Sequence, residues 1–160
     1  MKIVSAWKLT FTALIAFAVF NQPAAAESAE HGHEYAPNLV AAFVGITSED
    51  RRENGLSLGL EYERRLSRSF GIGALAELTF GDIEVWVFAV PFAFHTGPWK
   101  FYVAPGFENA DDTDDNESLI RVGGEYGFEV GRWEIAPQLD VDLVDGDVVL
   151  VGGVTFGWGF

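Results

Sequence analysis

The 160-residue sequence contains no cysteine. Disulfides, thiolate metal sites and a cysteine-linked lipid anchor are therefore excluded. Base is scarce: 10 lysines and arginines stand against 24 aspartates and glutamates, a formal net charge of −14. No basic patch exists to meet nucleic-acid phosphates, nor the headgroups of an anionic membrane surface. Histidine occurs at only three positions, His31, His33 and His95, so histidine-dependent chemistry has few places to sit. Beyond residue 20, charge or glycine interrupts every apolar run, and none reaches the roughly 20 residues of a membrane-crossing helix. What is abundant points elsewhere. Eighteen glycines and 14 phenylalanines suit strands, tight turns and an aromatic surface, and do not suit a helical bundle.

The first 26 residues read as a secretory signal peptide. Lys2 and Lys8 supply the basic start, Leu9 to Phe20 an apolar run broken only by Thr10 and Thr12, and Pro23-Ala24-Ala25-Ala26 the small residues a signal peptidase needs. Cleavage after Ala26 leaves Glu27 to Phe160, with 8 bases against 24 acids, because both lysines and no acids are lost. Residues 27–37 are expected to be a flexible mature N-terminus. His31, His33 and Glu34 lie close together there, but spacing alone does not build a metal site, and the expectation is a mobile tail with no metal and no cofactor.

From residue 38 onward the pattern has period two. The last strand, Asp147 to Phe160, sets Val148, Leu150, Gly152, Val154, Phe156, Trp158 and Phe160 on one face. Asp147, Val149, Val151, Gly153, Thr155, Gly157 and Gly159 lie on the other. The same alternation runs through 56–66, 70–80, 99–110, 119–131 and 132–144. In 132–144, for example, Trp133, Ile135, Leu139 and Val141 oppose Glu134, Gln138, Asp140 and Asp142. Residues 38–48 are apolar on both faces and leave their facing open. Residues 83–95 carry two awkward positions. Glu84 shares the parity of Trp86 and Phe88, which calls for a bulge or a wet strand end. Pro91 cannot donate a ladder hydrogen bond. Turn signals at 67–69, 81–82, 96–98, 131–132 and 145–146, with charged connections at 49–55 and 111–118, complete eight strands.

Alternation alone does not say which face points inward. A soluble lipocalin-like binding barrel would bury the apolar set; a membrane barrel would turn it toward lipid. Three features favour the second. Large aromatics (Phe70, Phe80, Trp99, Trp133, Trp158, Phe160) sit at strand ends, where an interfacial girdle belongs. The polar faces mix glycines with a few long charged side chains, which suits a narrow interior. Eight strands also enclose too little room for the tryptophans and phenylalanines together. The predicted class is thus all-β: a closed eight-stranded antiparallel transmembrane up-and-down barrel over 38–160.

The chain resembles the small eight-stranded outer-membrane barrels of Gram-negative bacteria, the group of the outer-membrane protein A transmembrane domain and outer-membrane protein X. The resemblance spans Asn38 to Phe160, and its strongest mark is the terminal V-T-F-G-W-G-F. That resemblance implies an assembly signal at Val154, Phe156, Trp158 and Phe160, read by the barrel-assembly machinery after delivery by export chaperones. It implies contact with outer-membrane lipid and lipopolysaccharide, an integral outer-membrane location and a monomer. An even strand count puts both termini at one end, assigned to the periplasm, with 49–55, 81–82, 111–118 and 145–146 facing outward. Short outward connections leave little surface for adhesion.

On this reading the interior carries a polar network of Glu61, Glu63, Arg65, Glu77, Lys100, Tyr102, Glu108, Arg121, Glu125, Glu129, Glu134, Gln138, Asp140 and Asp142. Nine are acids and three are bases, so Arg65, Lys100 and Arg121 should be ringed by carboxylates or water. A filled polar core implies a non-enzymatic structural or envelope-homeostasis protein. An acid-lined interior that stays open implies instead a narrow low-conductance cation-preferring channel. Some small outer-membrane barrels act on lipid A through a histidine, but here only His95 falls within a strand, with no serine partner beside it, so no enzyme is expected. D-D-T-D-D-N-E-S, 111–118, lacks the spacing of a calcium loop and reads as solvated acid.

Overall fold

The computed structural model describes residues 36–49, 53–110 and 116–160. The segment expected to be a signal peptide, His31, His33 and the centre of the acidic loop lie outside the described residues. Eight strands run in chain order. They are β1 (Asn38–Glu49), β2 (Glu53–Arg65), β3 (Phe70–Gly81), β4 in two segments (Val85–Ala89 and Phe92–Thr96), β5 (Trp99–Ala110), β6 in two segments (Asn116–Tyr126 and Phe128–Val130), β7 (Trp133–Val144) and β8 (Asp147–Gly159). Each pairs antiparallel with its chain neighbours, and β1 pairs with β8 from Leu39↔Gly159 to Glu49↔Val149, which closes the sheet. Closure leaves no edge strand.

The seam is held at its end as well as along its length. The Asn38 amide donates to the Phe160 carbonyl at 3.0 Å, and the Phe160 amide returns a bond to the Asn38 carbonyl at 2.9 Å. At the opposite end Asp145-Gly146 makes the tight β7–β8 turn, with φ of 44° and 105°. Two positive φ values in sequence fit the primed hairpin turns that match strand twist, and Asp-Gly is a residue pair that tolerates them.

The apolar faces point outward. Large hydrophobic side chains are exposed on every strand, among them Leu60, Phe92, Phe101, Ile120, Leu139, Leu150, Trp133 and Ile135. Glu63, Glu77, Arg121, Glu125, Asp140 and Asp142 are buried instead. Water would not tolerate such an exterior as a continuous band, and the hydrocarbon of a bilayer would. The soluble lipocalin-like alternative is thereby overturned. Aromatic pairs gird the end that carries the termini: Phe70–Phe94, Trp99–Tyr126, Tyr126–Phe128 and Trp133–Trp158, with centroids 4.7–5.3 Å apart. Trp86, Phe88 and Phe107 stack at the other end.

Several boundaries differ from the sequence pattern. β1 and β2 pair down to Glu49↔Glu53, so the connection expected at 49–55 shrinks to residues 50–52. Residues 116–118, expected in the acidic loop, belong to β6, because pairing with β5 continues to Asn109↔Asn116. Glu84 precedes β4 and is exposed, which is the wet strand end its parity required. Pro91 does interrupt β4, yet the wall stays closed: Gly73 donates to the Pro91 carbonyl and Val90 to the Pro105 carbonyl, both at 2.9 Å. β1, open from sequence, turns Leu39, Ala41, Phe43 and Thr47 inward.

Candidate functional site

The interior is built from cross-strand neighbours whose side chains share a level. Nearest the end opposite the termini, Thr47, Ser57 and Thr79 on β1, β2 and β3 form a buried hydroxyl ladder, at 2.6 and 2.9 Å. Glu108 lies close by, half-buried beside a void of about 30 Å³ that also borders Glu49, Glu77 and Asp142.

One level deeper, Arg121 spans the lumen. Its register partner on β7 is Asp142, and its Nε and Nη2 donate to that carboxylate at 2.7 Å each. Its Nη1 reaches across to Glu77 on β3 at 2.8 Å, and Asp140 stands 3.9 Å away. Arg121 is fully buried, so the guanidinium fork is satisfied by carboxylates and not by water.

Below it a hydrogen-bonded level is made possible by a glycine. Tyr102, Gly123 and Asp140 are successive partners across β5, β6 and β7. A Cβ on Gly123 would lie 2.6 Å from the Tyr102 hydroxyl oxygen and would also strike the Asp140 carboxylate. With hydrogen there, the Tyr102 hydroxyl donates to Asp140 over the intervening strand at 2.6 Å. Gln138 donates to the Tyr102 oxygen at 2.9 Å and to Asp140 at 2.6 Å, and accepts from the Thr155 hydroxyl. Phe43 fills the opposite wall, its ring lying over Gly45 and Gly153, while Leu75, Val87, Ala89, Ala93, Ala104, Leu119 and Val144 form the dry side.

The second ionic level centres on Lys100. Its ammonium donates to Glu61 at 2.6 Å and lies 2.9 Å from Glu125, its register partner, and 3.4 Å from Glu63. Glu125 Oε1 and Glu63 Oε2 satisfy the ion-pair distance without hydrogen-bond geometry, so Lys100 serves them chiefly by charge. Glu63 also meets His95 Nε2 at 2.7 Å and Arg65 Nε at 3.6 Å. Glu63 lies over Gly71, where a Cβ would come within 2.8 Å of its carboxyl carbon. A second void of about 30 Å³ separates this level from the mouth.

The interior set read from the sequence is thus divided. Glu61, Glu63, Glu77, Lys100, Tyr102, Arg121, Glu125, Gln138, Asp140 and Asp142 meet in the packed lumen. Glu108 and Glu134 are half-buried toward the two ends. Glu129 is not enclosed: β6 breaks after Tyr126, and its short outer segment holds Glu129 exposed at the rim. Arg65 is not ringed by carboxylates either, since among the described residues its one ion pair is the 3.6 Å contact to Glu63. Thr47, Ser57, Thr79 and Thr155 complete the network, and so does His95, which the sequence offered only as the histidine within a strand. The parity of Ser57, Thr79, Thr155 and His95 already placed them inward. Val154, Phe156, Trp158 and Phe160 lie on the outer face of the last strand, Trp158 half-buried against Trp133.

The terminal mouth holds a cavity of about 320 Å³, lined by Arg65, Glu129, Arg132, Trp133 and Glu134 together with residues of the seam. Among the described residues no cluster of histidines and carboxylates has the arrangement of a metal site. The one described histidine binds a carboxylate, and Ser57, the buried serine, bonds only threonines at the other end of the barrel. Among the described residues no nucleophile, base and orienting acid come together.

A closed wall of eight strands, apolar outside and charged within, decides the comparison with known structures. The fold is that of the small outer-membrane barrels. The chain superimposes on the N-terminal β-barrel domain of OprF from Pseudomonas aeruginosa with a TM-score of 0.56 and 13% identity, covering 79% of this chain and 100% of that one. It matches Ail, the attachment invasion locus protein of Yersinia pestis, with a TM-score of 0.53 and 12% identity over 78% of this chain and 99% of that one. It also matches a de novo designed transmembrane β-barrel, with a TM-score of 0.52 and 12% identity over 78% and 97%. No family model and no curated protein matches the sequence. Small outer-membrane barrels cross the bilayer with strands alone, and this chain has the same closed transmembrane-barrel fold. A designed barrel shares its architecture, so the fold by itself assigns no task.

Proposed function

We propose that this outer-membrane barrel is a non-enzymatic structural element of the envelope whose interior is closed to solutes. The observation that carries the reading is the pair of ionic levels, one around Arg121 and one around Lys100, each tying opposite walls together at a different depth. A permeant ion would have to displace a buried guanidinium or ammonium from its carboxylates, and removing one member of such a pair costs roughly 3–5 kcal/mol. The voids that separate these levels from the ends have room for about one water molecule each. The barrel works as a monomer among outer-membrane lipid and lipopolysaccharide. It arrives through export chaperones and the barrel-assembly machinery, which reads Val154, Phe156, Trp158 and Phe160.

A cation-preferring channel is the competing reading, favoured by the excess of acids over bases along the lumen. Planar-bilayer recording of folded protein separates the two. A closed interior gives silent membranes for the parent protein. Reproducible cation-selective unitary currents, weakened by Glu125→Gln or Asp140→Asn, would establish the channel and end the closed reading.

A further inference from the structure

We propose that the mouth at the terminal end binds a small zwitterion, a ligand with an ammonium and a carboxylate a few ångströms apart. The site lies outside the packed lumen, so the proposal goes beyond the closed-barrel reading and does not rest on it.

Charge is treated differently in the lumen and in the mouth. In the lumen Arg121 and Lys100 are each held by at least two carboxylates within 3.0 Å. In the mouth Arg65, Arg132, Glu129 and Glu134 line one cavity of about 320 Å³. Among the described residues, the single ion pair any of the four makes is the 3.6 Å contact between Arg65 Nε and Glu63. None of the four makes a side-chain hydrogen bond there, and no arginine of the mouth pairs with a glutamate of the mouth. Arg65 is the most telling. Its side chain is only 14% exposed, yet its guanidinium donates no hydrogen bond to another described residue. A guanidinium drawn that far from bulk water, with its donors still open, matches a planar carboxylate well.

The balance of charge narrows the ligand further. Two arginines and two glutamates border the same space, so neither a polyanion nor a polyamine suits it; each would meet two like charges. A zwitterion gives its carboxylate to Arg65 and Arg132 and its ammonium to Glu129 and Glu134. Trp133, Pro37 and Leu39 supply an apolar margin. The volume lies at the lower end of small-molecule sites, of order 300 Å³, and accommodates an amino acid or a dipeptide end.

The test is calorimetric titration of the full mature barrel, folded in detergent micelles at low salt. The probes are L-alanine and L-alanyl-L-alanine, which differ in charge separation, with acetate and methylammonium as single-charge controls. Saturable binding of at least one zwitterion and none of either control is expected. Arg132→Ala and Glu134→Gln should each weaken that binding by about tenfold, the loss of one charge-assisted hydrogen bond, and Arg132→Lys should weaken it less. Heat-shifted gel mobility verifies that each variant is folded, and exposed Glu129→Gln replaces any that is not. Absence of saturable binding by both zwitterions at millimolar concentration, equal binding of acetate, or unchanged binding by the folded variants would overturn the proposal.

Discussion

At the scale of single residues, the interior is governed by volume and by charge satisfaction together. Gly123 is the clearest case of the first. Tyr102 reaches Asp140 only because the strand between them carries no side chain at that level. Gly123→Ala should destabilise the folded barrel by about 1–3 kcal/mol, the usual cost of overpacking a tight core, read as a lower urea midpoint in lipid vesicles. An unchanged midpoint would mean that the Tyr102–Asp140 bond is not rigidly placed. Arg121 is the clearest case of the second. Arg121→Ala leaves Glu77 and Asp142 buried without their cation and should cost about 3–5 kcal/mol in the same assay. Replacing the group as a whole, with Arg121→Met, Glu77→Leu and Asp142→Asn, should recover much of that loss. If the triple variant is as unstable as Arg121→Ala, uncompensated charge is not the cause.

At the scale of elements, β4 and β8 differ from the rest. In a hydrogen-bonded pair of an antiparallel ladder, the two opposed residues each donate and accept. Pro91 and Pro105 accept from Gly73 and Val90 but have no N–H to return, so β4 is held by fewer ladder bonds at mid-length than its neighbours. Pro105 faces outward, where a valine would meet lipid without clash. Pro105→Val should slow amide exchange of the β4 segment by about fivefold, equivalent to ~1 kcal/mol for one restored hydrogen bond. Equal exchange would show that the ladder closes there by other means. β8 carries the second prediction. Phe160 contributes an aromatic side chain and the last backbone bonds of the seam, so deletion removes both. Phe160→Ala keeps the backbone bonds and removes only the ring. It should lower the yield of folded barrel in a pulse-chase assay in cells while leaving refolding into detergent nearly unchanged. Normal assembly in cells would contradict the signal assigned to the terminal aromatics.

For the whole molecule, much of the barrel was legible because period two is a strong signal when the faces differ in polarity. β2, β5 and β7 each opposed charge to hydrocarbon, and one parity choice placed Glu61, Lys100 and Asp140 inward together. β1 was not legible in this way, since Leu39 and Phe43 face in while Val40 and Val44 face out, and all four are apolar. Which side of the lumen each charge would meet was hidden too. Arg121–Asp142 and Lys100–Glu125 depend on strand register, and the reach of Arg121 to Glu77 depends on the width of the closed barrel. The rim was misread at Glu129 because the break in β6 after Tyr126 leaves no mark in the alternation. The barrel is inverted, dry outside and packed inside, and the absence of native cysteine makes that directly testable. Single-cysteine variants Leu139→Cys and Thr155→Cys, folded into lipid vesicles, are exposed first to a membrane-impermeant methanethiosulfonate and then to a lipid-soluble maleimide. Neither thiol should react with the impermeant reagent. Leu139→Cys should react with the lipid-soluble one, and Thr155→Cys only after unfolding. Impermeant labelling of Leu139→Cys would place that face in water, and impermeant labelling of Thr155→Cys would open the lumen; either result contradicts an inverted, packed barrel.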